Sequence, residues 1–144
     1  MRGYLAGLWV FWLAGSAVAA EVVTQEAPAA GLERQLGAED FRIYCATCHG
    51  IDGKGKGPVA EYMTLPPRDL TQLARRAGGK FPADLMARVI DGRAEVKAHG
   101  SRDMPVWGDY FGAEKPKASR TVKEAEVQAR IGALVTYLES IQAK

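Results

Sequence analysis

The residues of this 144-residue chain best suited to chemistry are two cysteines three positions apart and the histidine that directly follows the second. On a helix, the side chains of Cys45 and Cys48 lie on one face. Two thiols in that arrangement can add to the two vinyl groups along one edge of a haem and form thioethers. His49 then lies under the iron and can supply an imidazole nitrogen. A histidine in this position is the haem-attachment signature.

Three other uses of the cysteine pair compete with haem attachment. A thioredoxin-like redox pair is typical of a βαβ pattern, and the chain has no convincing strand. A disulfide between Cys45 and Cys48 would close a small and strained loop. A structural zinc site needs about four ligands, and with His49 and His99 the chain offers four, although His49 is awkwardly placed beside Cys48. The order of the three residues favours covalent haem.

An iron held by the motif histidine needs either a sixth protein ligand or an open site. The candidates are Met63, Met86, Met104 and His99. Met86 lies on the apolar face of a predicted helix, and Met63 lies near a proline-rich turn, so both have packing explanations. Met104 lies in an irregular segment between charged residues and a proline. Thioether ligation of iron would explain a methionine there, and gap filling is the alternative.

Length and composition predict one globular domain. Hydrophobic residues make up 47% of the chain and charged residues 25%, as in a folded protein. The formal net charge is only +2, which predicts no nucleic-acid partner. Most of the 16 glycines lie between positions 50 and 112, which indicates loops wrapped around something rather than long regular elements.

The N-terminus predicts a signal peptide over residues 1–20. A short positive start precedes an apolar stretch over residues 4–14, and small residues that fit an Ala-x-Ala cleavage rule follow it. The alternative is an uncleaved membrane anchor, because the apolar stretch nearly reaches the roughly 18 residues of a membrane-span candidate. Cleavage would leave a periplasmic protein without a membrane span. Residues 21–35 then predict a flexible tether, and residues 36–144 the folded domain.

The elements that must position these residues are helices. Apolar periodicity and helix stop signals predict helices over residues 32–48, 70–77, 82–91 and 121–141. The last helix carries a predicted capping box at Thr121 and Glu124. The segments between the helices are long and rich in glycine and proline, and would need a large apolar ligand to complete a compact core. The predicted fold class is all-α.

Over residues 36–141 the chain resembles the class I cytochromes c, which are small monohaem electron-transfer proteins. The resemblance rests on the Cys-x-x-Cys-His-Gly motif and on Met104-Pro105, which follows His49 by 55 residues. It also rests on the Trp-Gly pair that comes next, as in the Met-Pro-x-Trp-Gly of many bacterial members. The resemblance implies three to five short helices and long loops around one haem c attached through Cys45 and Cys48. It also implies that His49 and Met104 ligate the iron.

The resemblance implies further roles. Pro58 would offer its carbonyl to the second ring nitrogen of His49 and so fix the ring. Trp107 would pack on the haem edge or donate its indole N–H to a propionate, with plain aromatic core packing as the alternative. A glycine and an aromatic residue of the first helix would meet a leucine and an aromatic residue of the last. The matching residues are Gly37 and Phe41 with Leu134 and Tyr137.

These features predict a periplasmic electron carrier and not an enzyme. Iron ligated by both His49 and Met104 has no open position for a substrate, and this ligand pair raises the reduction potential. One alternative is a dedicated cytochrome c subunit of a periplasmic oxidoreductase complex. Another is a haem enzyme or gas sensor with an open iron. The protein would be a monomer as a carrier and part of a hetero-complex as a subunit.

Redox partner proteins are the expected partners. Residues 49–120 carry an excess of four positive charges. Six cations in loops expected around the haem predict a weak docking face for an acidic partner, with charge steering the encounter. These cations are Lys54, Lys56, Lys80, Arg93, Lys97 and Arg102. The charged segment 114–120 has no role that the sequence assigns.

Overall fold

The computed structural model describes residues 28–93 and 104–144. Within these two ranges it contains six α-helices and no strand, which confirms the all-α prediction. The helices are α1 (Pro28–Asp40), α2 (Ala46–His49), α3 (Leu73–Arg76), α4 (Ala83–Asp91), α5 (Trp107–Ala113) and α6 (Arg120–Ser140). A π-helical turn, Phe41–Cys45, joins α1 to α2, and 3₁₀ turns cover Ala60–Tyr62 and Leu70–Gln72. In this part of the chain, no helix has the length and apolar character needed to cross a membrane.

The first helix begins earlier than the sequence predicts. Residues 28–31, which precede the predicted start of the helix and belong to the predicted tether, are part of α1. Proline suits the first turn of a helix, and the alanines that follow it have the highest helix propensity, although they produce no apolar stripe. Leu36 is 56% exposed and does not join the core. The predicted signal peptide and the first part of the predicted tether lie outside the described residues, as do Lys97, His99 and Arg102.

The helices α1 and α6 cross in direct backbone contact at Gly37. A Cβ atom placed on Gly37 would overlap the carbonyl group of Ala133 on α6. One turn further along, the rings of Phe41 and Tyr137 lie with their centroids 5.1 Å apart, and Leu134 is buried between the elements. The helix pairing that the resemblance implied is therefore confirmed.

The last helix supplies the largest share of the buried core residues. Its buried apolar face consists of Val127, Ile131, Leu134 and Leu138. The helix begins one residue earlier than predicted, and the predicted capping box is wrong. Ser119 is the N-cap, and its hydroxyl oxygen accepts a hydrogen bond from the Val122 N–H at 3.4 Å. Glu124 cannot close a box with Thr121 because its carboxylate is bound to Arg93.

The helix α4 forms as its sequence predicts. Pro82 immediately precedes it, and Met86 and Ile90 face the core with 6% exposure each. Gly92 ends the helix in the left-handed conformation, with φ of 68°, which glycine adopts without steric cost. Met86 thus packs in the core, which agrees with its predicted place on the apolar face of this helix.

An arginine of α6 joins the ends of three other elements. The Arg130 guanidinium binds the Asp40 carboxylate at the end of α1 with N–O distances of 2.7 and 2.9 Å. It also donates to Glu114 after α5 and lies 3.9 Å from the Phe111 ring centroid. Glu114 in turn accepts a hydrogen bond from the Tyr44 hydroxyl at 3.0 Å. The charged segment 114–120 therefore begins with a residue that ties α5 to α6 and to the π turn.

The tight crossing of α1 and α6 gives a prediction about glycine substitutions. Gly37→Ala should lower the free energy of unfolding by about 1–3 kcal/mol or more, because the added methyl group forces two helix backbones apart. Gly31→Ala is the matched control, since Gly31 lies on the same helix and a Cβ there meets nothing within 4 Å. That control should raise stability by roughly 0.5–1 kcal/mol. Equal effects of the two substitutions in denaturant titrations would contradict the crossing.

Candidate functional site

The Cys-x-x-Cys-His motif lies at the end of a continuous helical run from Pro28 to His49. Cys45 ends the π turn, and Cys48 and His49 lie in α2. The Ala46 N–H donates to the Phe41 carbonyl, five residues back. Such π turns within helices are frequent at functional sites. Both cysteines are free thiols and half-buried.

A glycine-rich loop caps the motif helix. Each of the four α2 carbonyl groups accepts a backbone hydrogen bond from residues 50–59. The bonds run from Gly50 to Ala46 at 2.9 Å, from Val59 to Thr47 at 3.2 Å, from Gly57 to Cys48 at 3.0 Å, and from Gly55 to His49 at 2.7 Å. A Cβ on Gly57 would overlap the Thr47 carbonyl oxygen, so only glycine permits this approach. The loop therefore satisfies the otherwise unpaired end of the helix and fixes the motif backbone.

The ring of His49 is oriented by a main-chain carbonyl. Its Nδ1 lies 3.4 Å from the Arg68 carbonyl oxygen. Burial lowers the pKa of His49, an effect that the hydrogen bond to Arg68 opposes. The ring is half-buried and favours the neutral form, and with Nδ1 as donor its Nε2 keeps a lone pair for a metal.

The expectation that Pro58 supplies this carbonyl is wrong. Pro58 is exposed and follows Gly57, whose N–H is bonded to the Cys48 carbonyl. Residues 50–59 therefore pack along α2. The backbone that contacts the His49 ring comes later in the chain, at Arg68. Every residue has a backbone carbonyl, so residue type does not reveal which carbonyl accepts the hydrogen bond from His49.

The segment that carries the Arg68 carbonyl is anchored on both sides. The Leu70 N–H donates to the Gly53 carbonyl at 2.7 Å. The Asp69 carboxylate accepts hydrogen bonds from the Thr71 N–H at 2.8 Å and from its hydroxyl at 2.6 Å, and so caps the following turn. The side chain of Gln142, just after α6, donates to the Leu70 carbonyl at 2.9 Å. The position of the His49 ring thus depends on both the glycine loop and the last helix.

One alternative use of the cysteines, a thioredoxin-like redox pair, finds no support in the surroundings of Cys45. Burial raises the pKa of Cys45 to about 12, and the charges of Asp40 and Cys48 add to the effect. Redox-active thiols of the thioredoxin type have a lowered pKa instead. Across residues 28–93 and 104–144, no three His, Cys, Asp or Glu side chains come together as metal ligands would.

The remaining predicted site residues lie at the start of α5. Met104 is partly buried and packs against the hydrophobic core, as Cys45 does. Trp107 is 9% exposed, stacks on Phe111 with the ring centroids 5.8 Å apart, and meets Tyr44 edge-on at 5.6 Å. The structure thus places Trp107 in the aromatic core and against the neighbour of Cys45. Contact with a haem edge stays a prediction.

The surface beside the motif carries large apolar side chains. Ile51, Tyr62 and Leu65 are 67%, 80% and 53% exposed. Ile51 directly follows the motif, and the Ala60–Tyr62 turn packs against α2. A flat apolar group attached to the motif would cover part of this surface. With two thiols on one continuous helical run and an oriented imidazole beside them, these residues fit a covalently attached haem.

The capping role of Asp69 gives a prediction about acid stability. Hydrogen bonds from Thr71 hold the pKa of Asp69 below its ordinary value. Because the folded-state pKa lies below the unfolded one, the carboxylate stabilises the fold above the unfolded pKa, and this stability is lost as pH falls through the folded pKa. Asp69→Asn should therefore flatten the fall in unfolding free energy below about pH 4. Thr71→Val removes the hydroxyl donor and brings the folded-state pKa of Asp69 closer to the unfolded one, so it should make that fall smaller and end it at a higher pH. Wild-type acid profiles in both variants would contradict this.

Comparison with known proteins gives one family match. The family model described as cytochrome c oxidase, cbb3-type, subunit III matches residues 33–138, about three quarters of the chain. No curated protein and no solved structure gives a significant match. The match supports covalently bound haem c, with Cys45 and Cys48 fitting its attachment motif, and a function in haem-based electron transfer or as an oxidase subunit. The resemblance to class I cytochromes c is confirmed, and the chain belongs to the cbb3-type family of cytochrome c domains.

Proposed function

We propose that this protein is a periplasmic electron carrier with a single six-coordinate haem c. Cys45 and Cys48 would hold the haem, and His49 and Met104 would ligate its iron. The observation that carries the proposal is the oriented His49 ring, held by the Arg68 carbonyl at the end of the helical run that bears both thiols. A carbonyl partner of this kind fixes a ligand ring and raises its basicity.

The haem, when bound, supplies a centre that gains or loses one electron. The chain's own residues make that exchange reversible and selective. The Arg68 carbonyl keeps the His49 ring in one orientation, so the ligand need not reorganise. Iron held by the Met104 thioether together with the His49 imidazole would have a raised reduction potential and would leave no position for a substrate.

The periplasmic location is supported by the sequence of residues 1–20 and by the family. The predicted signal peptide would export the chain. An oxidising compartment suits a protein whose two cysteines are committed to thioether bonds. Retention of residues 1–20 as a membrane anchor is the alternative, and it would tether the same domain on the same side.

The ligand role of Met104 gives a direct prediction. Met104→Leu should abolish the thioether-to-iron absorption band of the ferric protein. It should also lower the reduction potential by on the order of 0.1 V, within the roughly 0.8 V over which axial ligands set haem potentials. Met63→Leu is the matched control, since Met63 is also half-buried but lies at the end of the Ala60–Tyr62 turn.

The control also decides the ligand assignment. A band that survives Met104→Leu and is lost in Met63→Leu would transfer the ligand role to Met63. Ready binding of carbon monoxide by the wild-type ferrous protein would indicate an open iron, and the carrier proposal would fail.

A basic docking face is the second part of the proposal. Lys54, Lys56 and Lys80 are exposed, and Lys54 has only a 3.9 Å contact with Asp52. Arg93 was predicted to belong to this face, but its guanidinium is bound to Asp91 and Glu124, so we leave it out. The three lysines and the apolar Ile51 would meet an acidic redox partner.

The docking face predicts salt-dependent association. The rate constant for electron transfer with an acidic partner should fall as ionic strength rises, because exposed charges are screened beyond about 10 Å at 0.1 M salt. Replacing Lys54, Lys56 and Lys80 by Gln should lower the low-salt rate constant about tenfold, the lower end of electrostatic steering. Lys117→Gln, at an exposed position between α5 and α6, is the control. A rate constant that changes neither with ionic strength nor on replacement of the three lysines would refute the docking face.

A second candidate function is that of a dedicated subunit of an oxidase complex. The family description names such a subunit. Leu32 and Leu36, one turn apart on α1, and Ile43 after it are 57%, 56% and 49% exposed, and these apolar side chains would suit a permanent interface. Purification under mild conditions discriminates between the two functions. A carrier elutes as a monomer, whereas a subunit elutes with a catalytic partner.

A further inference from the structure

Arg93 lies at the centre of an ion cluster between α4 and α6. Its Nη2 lies 2.8 Å from Asp91 Oδ2, and its Nη1 lies 2.8 Å from Glu124 Oε2. Gln128 donates a hydrogen bond to Glu124 at 3.0 Å. The Arg93 side chain is 32% exposed and the Asp91 side chain 20% exposed. The guanidinium thus bridges the carboxylates of two helices with its planar fork.

The same cluster rests on the first turn of α5. A Cβ placed on Gly108 would overlap the Asp91 carboxylate and lie 2.6 Å from Arg93 Nε. A Cβ on Gly92 would lie 3.2 Å from the Val106 Cα. The chain that leaves α4 and the chain that enters α5 are therefore in van der Waals contact through two glycines.

Met104 lies two residues before this contact. Its backbone position follows from where Val106 and Gly108 are held, because two residues span at most about 7 Å of chain. The ion cluster holds them against α4 and, through Glu124, against α6. Among the described residues, the other contacts that hold the start of α5 are apolar.

We propose that Arg93 is a positioning residue for Met104. It would hold the start of α5 so that the methionine stays on the iron. The inference rests on the proposed ligation of iron by Met104. It also explains Gly108, whose lack of a side chain lets the arginine–carboxylate cluster pack directly on α5.

The test compares three variants of the haem-loaded protein in the ferric state. Arg93→Gln should weaken the thioether-to-iron band and raise the affinity for added imidazole about tenfold, because imidazole binds the fraction of molecules in which methionine is off the iron. Arg93→Lys keeps the charge but loses the fork, so it should give a partial loss of the band. Arg42→Gln is the control, because Arg42 forms an exposed ion pair with Glu39 on its own helical run, and it should behave as wild type.

The outcomes separate this inference from the proposed function. A band that is lost in Met104→Leu but unchanged in Arg93→Gln, with unchanged imidazole affinity, would overturn the positioning role alone. A lowered unfolding midpoint in Arg93→Gln with a full band in the folded protein would show a purely structural role and would also overturn it. A wild-type protein without the band would overturn Met104 ligation and the positioning role together.

Discussion

The backbone contact between α1 and α6 at Gly37 is the constraint on which the rest of the structure depends. The helical run that begins with α1 ends in the motif, so the crossing fixes Cys45, Cys48 and His49 relative to the last helix. Polar side chains on the last helix and just after it then anchor several of the other elements. Arg130 holds the ends of α1 and α5, Glu124 holds the end of α4, and the Gln142 side chain after α6 holds the turn behind Arg68. The protein thus builds a rigid frame around one half-buried imidazole.

Much of this frame could be predicted from the sequence because its signals are local. The motif depends on three residues within five positions. Asp69 caps the start of a helical turn with its carboxylate. Gly92 ends α4 because glycine readily adopts the left-handed conformation. A glycine inside a helix, such as Gly37, is explained if a second helix crosses there. The resemblance to cytochromes c identified the last helix as that partner. In each case the residue type itself carries the physical cause.

The parts that the sequence could not predict depend on backbone carbonyls and on ion pairs between residues far apart in the chain. The carbonyl at Arg68 is chemically the same as the one at Pro58, so only the path of the loop decides between them. Arg130 and Asp40 are 90 positions apart, and no pattern of charge pairs them. Arg93 was expected to be a free surface cation, because its two carboxylate partners come from different helices. These long-range ion pairs hold the elements that the local signals had defined.

The central claim is that this helical frame carries one covalent haem through the motif. A pyridine haemochrome spectrum, with the intact mass measured under denaturing conditions, tests it most directly. We predict one haem per chain that acid–acetone extraction does not remove, and loss of that attachment when Cys45 and Cys48 are both replaced by Ala. A purified chain without haem, or a haem that is fully extracted from the wild-type protein, would contradict the claim.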